Sequence, residues 1–153
     1  MTARRHAAFL LAFALGGSPL PVAAEYSDDP DLAAKDEDYA AALKAVADKR
    51  WEEAIARLRK AEVRNPDHAD LQNLLGYSHR NLRQFDPSFR HYNRALEIDP
   101  RHRSAHEYIG EAYLMVGDLA GAEKHLAALK AICLLGCEQL AHLEKAIAEH
   151  RKK

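Results

Sequence analysis

Three stretches of this chain superimpose on one another at a spacing of 34 residues. Ala42, Gly76 and Gly110 fall in one column, and Ala54, Ser88 and Ala122 in a second. Leu58, Tyr92 and Leu126 form a third; Ala61, Ala95 and Leu129 a fourth; Trp51, Phe85 and Leu119 a fifth. Pro66 and Pro100 share another. Small residues recur where two backbones must approach, and large apolar ones recur where a core must be filled. A fixed period of this length signals stacked supersecondary units, none of which can bury its apolar face alone.

With small, large and proline columns in these places, the chain resembles the tetratricopeptide repeat family over about Lys35 to Leu135. The resemblance implies an all-α, right-handed solenoid of three helix–turn–helix repeats, 35–68, 69–102 and 103–136, followed by a capping helix in 137–153. It also implies that Gly76 and Gly110 lie where helix A of a repeat meets helix B of the same repeat. Glycine inside a helix costs about 1 kcal/mol relative to alanine, so close packing there must offset it.

Residues 1–24 read as a secretory signal peptide. Arg4 and Arg5 supply the positive start, Ala7 to Leu15 a nine-residue apolar run, and Val22-Ala23-Ala24 a small-residue site ahead of Glu25. A membrane-spanning helix needs about 20 apolar residues, so the run is too short to be an anchor. No cysteine follows it closely enough for a lipoprotein anchor. Removing the segment leaves 20 basic against 23 acidic residues, a net −3. No basic stripe remains for nucleic acid. Export into the periplasm of a Gram-negative bacterium is the expectation.

Residues 25–34 read as a polar leader in which Asp29 and Pro30 are placed as N-cap and first helical residue. The pattern predicts helices from Leu32 or Lys35 to Ala47, from Trp51 or Glu52 to Val63, and from Ala69 to Leu82. Further helices are predicted from Pro87, capped by Asp86, to Ile98, from Arg103 or Ser104 to the Gly117-Asp118 turn, and from Leu119 to Leu134. The last runs from Cys137 to His150. Its Leu140, Leu143 and Ile147 share one face, with His142, Glu144, Lys145 and Glu149 facing away.

Ligand peptides of the resembled family usually lie along the A helices. That geometry places Tyr39, Asn73, Tyr77, Arg80, Asn81, Glu107, Tyr108 and Glu111 in a concave groove for a protein or peptide partner, with Asp36, Leu43, Asp70 and Ser104 beside them. The family's clamp for a C-terminal carboxylate needs Lys, Asn and Arg. Tyr39, Leu43, Leu74, Ser104 and Tyr108 stand at those positions, so the clamp is absent. Tyrosines bring contact area with a polar tip, and asparagine amides both donate to and accept from a peptide backbone.

Cys133 and Cys137 are the only cysteines, with Gly136 between them. In an oxidising compartment such a pair forms a disulfide. The other reading is a metal-handling or redox-sensitive protein that uses these thiols with His125 or His142. His102 and His106, four apart, and His79 read as satisfied core histidines, and His91 and His125 as solvent-facing B-helix residues. No nucleophile elbow, phosphate-binding glycine loop or metalloprotease motif occurs, and no cofactor or resident metal is implied. The reading is an adaptor or scaffold rather than an enzyme, and self-assembly through the ends of the solenoid is a further possibility.

Exported protein should begin at or near Glu25 when its N-terminus is sequenced or its intact mass measured. A mature chain that retains Met1 to Ala24 would overturn the export reading.

Overall fold

The computed structural model describes residues 29–153. The predicted signal segment and residues 25–28 of the leader lie outside them. Among the described residues there are eight helices and no strand. They are α1 (Pro30–Lys35), α2 (Glu37–Ala47), α3 (Trp51–Arg64), α4 (Ala69–Asn81), α5 (Phe85–Ile98), α6 (Arg103–Met115), α7 (Leu119–Ile132) and α8 (Glu138–His150). Helices α2/α3, α4/α5 and α6/α7 are the three antiparallel pairs, stacked side by side, and α8 packs on α6 and α7. None of these helices is long and apolar enough to cross a membrane.

The turn inside each repeat is the same object three times. Lys49, Arg83 and Gly117, 34 residues apart, all have positive φ (57°, 57° and 84°). Each donates its N–H to a carbonyl three residues back, and the next residue donates to one five back: Arg50 to Ala45, Gln84 to His79, Asp118 to Tyr113. This pair of bonds closes a helix C-terminus through one left-handed residue. Only the third turn uses glycine, the residue with no steric penalty there. The turn also sets the start of α5, with Gln84 at the N-cap and Asp86 already inside the first helical turn, two residues earlier than predicted.

Asp29 and Pro30 stand as N-cap and first helical residue, as expected: the Asp29 carboxylate accepts from the N–H groups of Asp31 and Leu32 (2.8 and 3.1 Å) and Pro30 opens the turn. The predicted continuous first helix, however, is broken at Asp36. That residue is extended (φ −124°, ψ 108°), ends α1, and caps α2 by accepting from the N–H of Asp38 and Tyr39 (3.0 and 3.1 Å). Arg64 and Asn65 at the end of α3 bond the same carboxylate, at 2.7–3.0 Å. A short acidic side chain that finds local N–H groups competes with helix continuation, and here it wins.

Gly76 packs against Tyr92 of α5, its own B helix. A Cβ on Gly76 would sit 2.6 Å from the Tyr92 ring. At Gly110 the nearest side chain that a Cβ would meet is Leu143 of α8, at 2.7 Å. The capping helix has taken that surface. Leu143 and Ile147 are buried with Ala122, Leu129 and Cys133, and Leu140 packs at the margin. Cys133 and Cys137 form a disulfide across Gly136, whose φ is +84°. A bridge closing so short a loop contributes about 2 kcal/mol in the chain-entropy account.

Polar clips join A to B in every repeat, again in register. Arg57 donates to Asp38 (3.0 Å), His91 bonds Gln72 (2.8 Å), and His125 bonds His106 (2.9 Å). The prediction that His91 and His125 face solvent is therefore corrected. His125 is buried and His91 half-buried, because each turns back onto its A helix. Rings stack behind them: His79 on His91 at 5.6 Å and 3°, Tyr113 on His125 at 5.7 Å and 19°. Burial, before any neighbouring charge, pulls both His91 and His125 down to about 4. They are neutral members of the core.

Gly76→Leu should lower stability by about 1–3 kcal/mol in urea unfolding, since Tyr92 cannot yield without disturbing α5. Loss of the Asp36 network should appear in acid. Hydrogen bonds from Arg64, opposed by burial and helped by the Tyr39 N–H, hold the Asp36 carboxyl near 2, below its ordinary 3.8. The stability it contributes is present above pH 3.8 and is lost as pH falls toward 2. Asp36→Asn should lower Tm at pH 7 and flatten the fall of Tm between pH 4 and pH 2.

Candidate functional site

A cleft of about 820 Å³ opens between α4, α6 and α8. Its floor is built around one cation. Arg80 leaves the last turn of α4 and is 8% exposed. Its guanidinium carbon lies 5.0 Å from the ring centroid of Tyr77 and 5.2 Å from that of Tyr108. The two rings stand 4.9 Å apart at 49°. Arg80 Nη1 donates to the Tyr108 carbonyl (3.1 Å) and to the Glu111 carboxylate. A guanidinium between two aromatic faces gains cation–π attraction, and the carboxylate compensates its desolvation. Trp51 of the preceding repeat buttresses Tyr77 edge-on at 5.6 Å.

Glu107 lies one turn before Glu111 on α6 and is buried. His142 of α8 reaches it, Nδ1 to Oε1, at 2.9 Å. Burial first, and the nearby Glu111 charge, push the Glu107 carboxyl up from 4.5 to about 7; the His142 hydrogen bond opposes this. Burial and the Glu107 charge also push the Tyr108 phenol up. At the other end of the cleft His102 caps α6, its Nδ1 accepting from the Ala105 N–H (3.1 Å), while Nε2 bonds Asp70 (3.0 Å). His68 does the same for α4, accepting from the Leu71 N–H and bonding Asp29 at 2.9 Å.

Five of the predicted groove residues come together as cleft walls: Tyr77, Arg80, Glu107, Tyr108 and Glu111. Asn81 is exposed and sits in a smaller adjoining cleft of about 470 Å³. Three residues depart from the expectation. Tyr39 is fully buried, covered by α1 and by the His68 ring 5.9 Å away, and its hydroxyl accepts from the Asp29 N–H. Asn73 is also fully buried, and neither Oδ1 nor Nδ2 finds a hydrogen-bond partner among the described residues. Neither side chain can present itself to a partner in this arrangement. Asp36, likewise expected beside the groove, is taken up in capping α2 and binding Arg64.

Sequence reasoning missed the contribution of α8. His142, Lys145 and Glu149, read as facing away, line the cleft together with Glu138. The amphipathic pattern showed that they share a face, but not that this face looks along the groove.

Cys133 and Cys137 are bonded to each other and so present no thiolate, and His125 and His142 already hold His106 and Glu107. Among the described residues no cluster of three or more His, Cys, Asp or Glu side chains is arranged to hold a metal ion. His106 donates Nε2–H to the Pro100 carbonyl (3.1 Å), which leaves Nδ1 to accept from His125.

A family model described as tetratricopeptide repeat matches residues 39–100 and again 75–133. Among solved structures, the chain is similar to the Yersinia enterocolitica type III secretion translocator chaperone SycD, in a crystal structure of an alternative dimer. The TM-score is 0.67 at 17% identity, over 82% of this chain and 92% of that one. Among curated proteins nothing matches.

Proposed function

The chain belongs to the tetratricopeptide repeat family, and on that premise we propose that it is an exported, periplasmic adaptor that holds a protein or peptide partner in the α4/α6/α8 cleft and carries out no catalysis. The observation that carries this reading is the cleft itself. It is walled by A-helix side chains from two repeats, offers aromatic area at Tyr77, and carries both signs of charge at its rim. Partly exposed tyrosine beside arginine is the composition enriched at protein interfaces. The polar groups that line it suit an extended chain, whose backbone amides need partners, better than an apolar helix face. The Arg4/Arg5 start, the Ala7–Leu15 run and the small-residue site support export. The disulfide is in keeping with an oxidising compartment.

Tyr77 and Glu111 are the groove residues to test, because both are partly exposed, whereas Tyr108 and Arg80 are buried in the floor. With the immobilised protein and periplasmic extract of its host, Tyr77→Ala should weaken capture of the partner about 30-fold or more, equivalent to about 2 kcal/mol for an aromatic anchor. Arg90→Ala and Lys124→Ala, exposed on the B helices outside the cleft, should leave capture unchanged. If the B-helix changes abolish capture and the cleft changes are silent, the partner uses another surface.

A further inference from the structure

Helix α8 meets α6 through two adjacent residues of opposite character. Leu143 is fully buried against Gly110, the one place on α6 where the lack of a side chain lets another helix approach. His142, its neighbour, bonds Glu107 one turn earlier on α6 at 2.9 Å. The Glu107 side chain is 7% exposed and that of His142 44%. An ionisable carboxyl is thus sealed under the capping helix at the wall of the cleft.

The groups that face it decide which protonation state the docked helix prefers. On α6 itself there is Glu111. From α4 comes Arg80, whose charge is already committed to Glu111, with Asp70 further along bonded to His102. From α8 come His142, with Glu138 3.7 Å beyond its Nε2, and Lys145 in the cleft wall. From α5 there is Tyr92, whose phenol burial pushes up and keeps neutral; from α7 there is His125, which bonds His106 and is neutral. Among the described residues the side chain bonded to Glu107 is His142, a cation only when protonated; beside a neutral His142 the charged carboxylate is desolvated next to a second carboxylate.

We propose that α8 is a proton-linked wall of the cleft: the protonated Glu107 carboxyl holds α8 down on α6, and its ionisation as pH rises loosens α8 and widens the cleft. When α8 lifts, water reaches Glu107 and its carboxyl returns to ordinary behaviour. In the docked state it titrates at about 7 instead of 4.5. A folded-state value raised in this way favours docking at low pH, and that advantage drains away as pH rises from 4.5 through 7. Between pH 6 and pH 8 the opening equilibrium of α8 should rise about tenfold. His91 and His125, at about 4, do not titrate in this window.

The inference concerns α8 alone and does not depend on the partner reading. Hydrogen exchange of the full-length protein at pH 6 and pH 8, corrected for the intrinsic pH dependence of exchange, tests it directly. Amides of Leu143 to Ile147 should lose about tenfold in protection at pH 8, while those of α2 and α3 keep theirs. Glu107→Gln keeps the shape and a hydrogen bond to His142 but cannot ionise, and its α8 protection should be flat across the two pH values. His142→Asn leaves Glu107 titratable and should retain the step. Equal protection of wild-type α8 at both pH values, a parallel loss in α2 and α3, or a step that survives in Glu107→Gln would each overturn the proposal.

Discussion

The stack depends on the closeness with which helices can approach at the Ala42, Gly76 and Gly110 column. An atom at Gly76 Cβ would fall inside the Tyr92 ring's contact distance, so helix A and helix B touch there with backbone against side chain. Tyr92 is fully buried as a result. The floor of the cleft follows from this placement, because Tyr77, the residue after Gly76, and Arg80, one turn on, are carried on the same helix. At Gly110 the same device serves a different helix. The absence of a Cβ admits Leu143, and α8 settles on the groove side of α6.

Around that apolar contact the chain repeats its polar fastenings as faithfully as its hydrophobic ones. Asp38–Arg57, Gln72–His91 and His106–His125 are chemically unlike but positionally identical. Each places a bond between the first turns of helix A and the middle of helix B. Buried polar groups are stabilised by partners, and the three repeats keep the pairing while both members differ. His68 and His102 are a second such pair, each capping the next A helix with one nitrogen and holding an aspartate with the other. At the third junction Gly136 stands in their place, and the disulfide anchors the chain where the capping histidine is missing.

The cleft brings together these structural economies. Arg80 and Glu111 compensate each other's burial, the tyrosine faces shield the guanidinium, and Glu107 is left to share its proton with His142. A buried carboxyl whose bonded partner is itself titratable concentrates response to the environment at that pair. Here it lies at the boundary between the repeat array and its cap.

The sequence by itself determined the architecture, and the physical reason is periodicity. Helix pairs, turns at Lys49, Arg83 and Gly117, and the amphipathic cap with Leu143 and Ile147 inward all follow from residues that need only local or repeat-related partners. Position in the repeat also sets which helix face a residue occupies, and it brings Tyr77, Arg80, Glu107, Tyr108 and Glu111 to one cleft. Only the tertiary structure decided the rest. Tyr39 is lost from the groove because α1 folds over it, and that helix has no counterpart in the other repeats. Gly110 admits Leu143 of α8, and His142 finds Glu107, because the cap leans onto a surface that no 34-residue column describes. Repeat spacing encodes contacts between equivalent units; contacts made by the two unequal ends are set only when the chain is packed in three dimensions.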